Sequence, residues 1–124
     1  MKAGSKRVAQ VLSERKEDLI AVINNGGRMM TAPLEVTPLS SVRFLMEVNY
    51  VGPFSVVKHF LPLLRKAKKG SARVINVSSV AGRISPPLLS AYTASKFALE
   101  SLCNCLRTEL KHLDIKTVCI QPVT

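Results

Sequence analysis

Arg73-Val74-Ile75-Asn76-Val77-Ser78-Ser79 is the stretch whose reading decides the fold. Its β-branched, largely apolar centre reads as a strand buried on both faces, and Gly70 before it and a loop containing Gly82, Pro86 and Pro87 after it mark its ends. Downstream, Ala91, Ala94, Ala98, Leu102, Leu106 and Leu110 recur at helical spacing, which predicts a helix from Ser90 to about His112. Thr117-Val118-Cys119-Ile120 then reads as another strand, ended by Pro122. Upstream, Thr37 as N-cap and Pro38 at the first helical position open a helix running to about Lys68, with a local disturbance at Gly52-Pro53. Before it, Leu19-Ile20-Ala21-Val22-Ile23 is a continuous apolar run stopped by the turn Asn24-Asn25-Gly26-Gly27. The order is β-α-β-α-β. It calls for an α/β fold of three parallel strands joined by right-handed helical crossovers.

The chain has 124 residues, the size of one domain, and its 47% hydrophobic and 21% charged residues are a globular composition. Two parts are expected: residues 1–18, charged and weakly helical through Val8, Val11 and Leu12, and the α/β body over residues 19–124. The net charge of +10 gathers in the first sixteen residues and between Arg65 and Arg73. Such a cluster suits a helix end and a solvated turn. With only 5% aromatic residues and none among these charges, bases have nothing to stack on, so nucleic acid is excluded as a partner. Three cysteines without framework spacing point to reduced thiols in an intracellular compartment. Cys103 and Cys105 lie two apart and face different sides of a helix, so no metal site is expected. No segment reads as a leader peptide or a membrane span.

Tyr92 and Lys96 lie four apart on the strongest helix pattern and therefore share a face. A free phenol ionises near pH 10, and bringing it to neutrality takes roughly 4 kcal/mol. An ammonium about 4 Å away supplies roughly that much at an effective dielectric of about 20, so one lysine suffices to make Tyr92 a working acid/base. Ser79 stands at the end of the central strand, where parallel sheets place their ligands. Asn49 sits mid-helix beside Gly52, an uncomfortable place for asparagine.

Taken together, these segments resemble the short-chain dehydrogenases/reductases. Asn24-Asn25-Gly26-Gly27 is similar to their Asn-Asn-Ala-Gly turn, and Val48-Asn49-Tyr50-Val51-Gly52 to their active-site asparagine segment. Val74 to Ser79 is similar to the strand that ends in their catalytic serine, and Tyr92-Thr93-Ala94-Ser95-Lys96 to their Tyr-x-x-x-Lys. The resemblance implies an NAD(P)-dependent oxidoreductase that moves a hydride between the nicotinamide and an alcohol or ketone. Tyr92 would exchange the hydroxyl proton and touch substrate, Lys96 would assist it and bond the nicotinamide ribose, and Ser79 would hold the substrate oxygen. Its neighbour Ser78 would be a satisfied strand-end residue. Asn49 would anchor a water that feeds Lys96. Asn24, Asn25, Gly26, Gly27 and Pro122, with Tyr92 and Lys96, would line the cofactor. Phe60 to Arg65 and Leu106 to Leu110 resemble the retinol and hydroxysteroid dehydrogenase group, implying a lipophilic substrate.

The family pattern also has departures here. Gly26 replaces the usual Ala, Val123 follows Pro122 where Gly is usual, and the 23 residues before Asn24 contain one glycine, Gly4, with no Gly-x-x-x-Gly-x-Gly phosphate turn. The expectation is a partial Rossmann fold with its first βαβ half missing, in which Val22 and Ile23 lose cover. The choice between NAD and NADP is unreadable. Such a chain would turn over no alcohol or ketone alone, and would form a homo-oligomer or pair with a full-length relative. The alternative is a catalytically silent fragment that acts through association.

Overall fold

The computed structural model describes residues 2–123. A first helix, α1 (Lys2–Arg15), precedes the strand β1 (Ala21–Asn24). Helices α2 (Leu39–Met46) and α3 (Gly52–Leu64) lead to β2 (Arg73–Val77), and α4 (Ser90–Glu109) leads to β3 (Lys116–Ile120). The sheet runs β1-β2-β3, all parallel, with Val22 beside Val74 and Val74 beside Thr117. The predicted α/β order and parallel pairing are therefore present, with Arg73–Val77 at the centre.

The long helix expected from Thr37 to Lys68 is two helices. Pro53 has no N–H to give the carbonyl four residues earlier, that of Asn49, and the chain widens into a π-turn over Glu47–Val51 before α3 begins. At the start, Pro38 keeps an extended backbone (φ −65°, ψ 135°) in the capping position, one residue before the helix. Thr37 does not cap it; its hydroxyl donates to the Pro33 carbonyl at 2.7 Å. Helix α4 ends at Glu109, and the chain tightens into a 3-10 turn over Lys111–Leu113.

The core lies on one face of the sheet. Val22 and Val74 pack there with Val57 and Leu64 of α3 and with Leu99, Leu102 and Leu106 of α4. The other face is open: Ile23 is 63% exposed, Val118 39% and Ile120 47%. The strands are thus not buried on both faces, as their apolar runs suggested. Of the two β1 residues expected to lose cover, Ile23 does and Val22 does not. All three cysteines are free thiols.

Candidate active site

The carboxyl ends of β1 and β2, the π-turn and the first turns of α4 meet at one edge of the sheet. Lys96, one helical turn after Tyr92, is only 5% exposed. Its Nζ donates to the Val77 carbonyl at 3.1 Å and stands 5.8 Å from the centre of the Tyr92 ring. Tyr92, Lys96, Val77, Ser78, Asn25 and Gly27 line a cleft of about 210 Å³, with Arg28 and Met29 at its rim. Burial lowers the proton affinity of Lys96, while Cys119 and Glu100 act in the opposite sense.

Asn49 is buried, and its side chain staples the loop after Gly27 to α4. Its Oδ1 accepts from the Arg28 N–H at 2.8 Å, and its amide donates to the Arg28 carbonyl at 2.8 Å and to Ser95 Oγ at 2.9 Å. Both amide hydrogens are spent. The side-chain amide thus has no hydrogen left to donate to a water at Lys96.

The turn Asn24–Gly27 divides its residues. A Cβ on Gly27 would stand 3.5 Å from both Asn49 Oδ1 and Lys96 Nζ, so the absence of a side chain keeps a gap open between them. Nothing crowds a Cβ on Gly26. Asn25 borders both the Tyr92 cleft and a shallow depression of about 280 Å³ that Asn24 and Gly26 share with Val48 and Pro53. Asn24 is itself buried, and its amide donates to Asn76 Oδ1 at 2.7 Å, tying β1 to β2. Pro122 is outside the cleft lining. Its carbonyl accepts from the Val80 N–H at 3.1 Å and so ties the exit of β3 to the serine turn.

The two serines have different surroundings at the strand end. Ser78 lines the cleft, with its hydroxyl buried next to Gly82. Ser79 caps the turn that follows, its Oγ accepting from the Ala81 N–H at 3.1 Å. That bond leaves the Ser79 proton available to donate. Behind Ser78 the turn sits tightly on α4. A Cβ on Gly82 would come 2.8 Å from Glu100 Cγ and 2.9 Å from Ser78 Oγ. Ser78, Arg28 and Glu100 were missed in the sequence. Period-two alternation from buried Val74 and Asn76 would have pointed to Ser78.

The family model described as "short chain dehydrogenase" matches residues 2–124. The chain is 35% identical over 111 residues to mouse mitochondrial D-beta-hydroxybutyrate dehydrogenase, covering 90% of this chain and 32% of the relative. It is 41% identical over 115 residues to mouse estradiol 17-beta-dehydrogenase 2, covering 90% and 29%. The chain thus spans about a third of the length of these curated relatives. Among solved structures, it is similar to an NADP active-site complex of RhlG from Pseudomonas aeruginosa (TM-score 0.85, 38% identity, 98% of this chain and 49% of that one). It is also similar to a short-chain dehydrogenase from Streptomyces avermitilis (TM-score 0.84, 32% identity, 97% and 43%). This chain belongs to the short-chain dehydrogenase family, a family of oxidoreductases, and its likeness to an estradiol dehydrogenase agrees with the leaning toward the hydroxysteroid group. Among the described residues, no helix is long and apolar enough to cross a membrane.

Proposed function

We propose that this member of the short-chain dehydrogenase family carries the proton-handling side of a nicotinamide-dependent alcohol/ketone oxidoreductase, acting on a lipophilic substrate. The observation that carries the reading is the cleft in which Tyr92 and Lys96 sit together, with the Lys96 ammonium fixed by the Val77 carbonyl. That ammonium stands 5.8 Å from the centre of the Tyr92 ring. Tyr92 then takes the hydroxyl proton from an alcohol, or returns it to a ketone oxygen. Ser79 donates its remaining proton to the substrate oxygen.

The residues present fit the nicotinamide end of a cofactor. Gly27 leaves the gap between Asn49 and Lys96 that a side chain would narrow, and Lys96 uses one donor on Val77, leaving others for a ribose hydroxyl. When bound, NAD or NADP supplies or takes the hydride. Likeness to an NADP complex and to an estradiol dehydrogenase supports the cofactor class and a lipophilic alcohol. An apolar groove of about 480 Å³ between α2 and the start of α4, lined by Leu34, Leu39, Val42, Ala91 and Ala94, supports association with a second copy or a longer relative.

The test is a titration with NADH and NADPH followed at the backbone amides, together with turnover of a panel of secondary alcohols. Shifts centred on Gly27, Tyr92 and Lys96 are expected. Wherever turnover is measurable, alone or with a longer relative, Tyr92→Phe should lower it about 100-fold or more. Cofactor shifts centred away from this cleft, or turnover indifferent to Tyr92→Phe, would overturn the reading.

A further inference from the structure

Glu100 lies one helical turn beyond Lys96 on α4, and both are 5% exposed. They are the charged residues that the fold takes out of water among the described residues. A lone buried carboxylate is costly, so its surroundings carry information. The Cys119 thiol of β3 donates to Glu100 Oε1 at 3.2 Å. Arg83, on the far side of the serine turn, brings its Nη2 to 3.8 Å from Oε2, too far for a hydrogen bond, and that oxygen has none. Gly82 packs against both the Glu100 stem and the Ser78 hydroxyl. The carboxylate is therefore the point where α4, β3 and the turn carrying both serines converge, directly behind the cleft.

From this arrangement we propose that Glu100 is a positioning residue for Lys96: its buried carboxylate seats the Ser78–Arg83 turn on α4 and places a buried anion one helical turn from the Lys96 ammonium. The inference rests on Lys96 acting in the cleft as described above. The groups around the two charges are Tyr92 and Cys103 on α4, Arg83 on the turn, Cys119 on β3, the Ser78 hydroxyl and Val77 carbonyl on β2, and Asn49 on the π-turn. Burial opposes the Lys96 charge, and two neighbours oppose that burial. One of them, Cys119, has its thiol ionisation pushed far up by burial and by Glu100, so it is neutral at physiological pH. Glu100 is the anion that remains. Burial alone would push its carboxyl up, but the polar groups of Gln121, Ser78 and Cys119 and the Arg83 charge outweigh it and keep the group ionised.

The experiment is the titration of the Lys96 side chain by NMR in the lysine-labelled full chain, with Lys96→Met to assign its resonance. Glu100→Gln keeps shape and removes charge. It should move the Lys96 titration to lower pH by roughly half to one unit. Glu100→Asp should restore most of the shift, which a purely steric role would not require. Arg83→Gln, at an exposed side chain, should move the titration the opposite way, and it decides the matter if Glu100→Gln does not fold. A folded Glu100→Gln chain, or failing that an Arg83→Gln chain, with an unchanged Lys96 titration overturns the proposal. Absence of turnover or cofactor binding would count against the proposed chemistry while leaving this titration readable, so the two failures are distinguishable.

Discussion

The two faces of the sheet are built from the same kind of residue and have opposite fates. On one, Val22, Val74 and Thr117 lie side by side under α3 and α4 and are all but dry. On the other, Ile23, Val118 and Ile120 are exposed, with no helix over them among the described residues. Side-chain chemistry does not separate the sets. Position along the strand does, because alternate residues point to opposite faces and both crossover helices lie on one of them. The covered face also carries the polar work: Asn24, Asn76 and Cys103 form a buried chain of hydrogen bonds beneath the candidate site.

The largest expected contrast is between Leu99→Ala and Ile23→Ala. Leu99 is 2% exposed between the helices and the sheet, so its truncation should cost about 3 to 5 kcal/mol in a denaturant melt. Ile23→Ala removes an exposed side chain and should cost under about 1 kcal/mol. Equal losses would mean that the open face is covered in solution, and a concentration-dependent melt or sedimentation would then reveal the covering copy. Next comes Gly82→Ala. The added methyl meets Glu100 Cγ and Ser78 Oγ at less than contact distance, so a loss of about 1 to 3 kcal/mol is expected, together with displaced resonances for Ser78 and Lys96. A neutral Gly82→Ala would show that the serine turn is not seated as tightly as these contacts require.

The smallest effect is pH dependence on the covered side. Glu100 holds its proton less tightly in the fold than its ordinary value of 4.5. A depressed carboxyl contributes stability that is fully present above that value and fades as pH falls through the lower folded value. Stability should therefore decline on acidification below about pH 4.5. The decline should be shallower in Glu100→Gln, and identical acid profiles for the two chains would remove Glu100 from the account.

Much of this was legible along the chain. The order of strands and helices followed from where β-branched runs and helical spacing alternate, and Tyr92 and Lys96 shared a face because four residues is one helical turn. The disturbance at Gly52-Pro53 was legible as well, since a proline withholds a donor wherever it sits, but its form was not. The widening to a π-turn goes with Asn49 side-chain bonds to Arg28 and Ser95 across the fold, which no local spacing announces. Thr37 illustrates the converse. Its residue type suits a cap, yet the nearer Pro33 carbonyl takes its hydroxyl.

What the sequence determined by itself was local: periodicity set the elements, and the spacing of Tyr92 and Lys96 set their common face. Tertiary structure alone decided which sheet face stays open, which serine lines the cleft, and that Asn24 and Asn49 spend their amides inside the protein. It also brought Glu100, Cys119 and Arg83 around a single buried carboxylate. The reason is physical. A backbone period is a property of neighbouring residues, whereas burial, hydrogen-bond satisfaction and charge pairing depend on groups far apart in sequence, and only the packed chain brings those together.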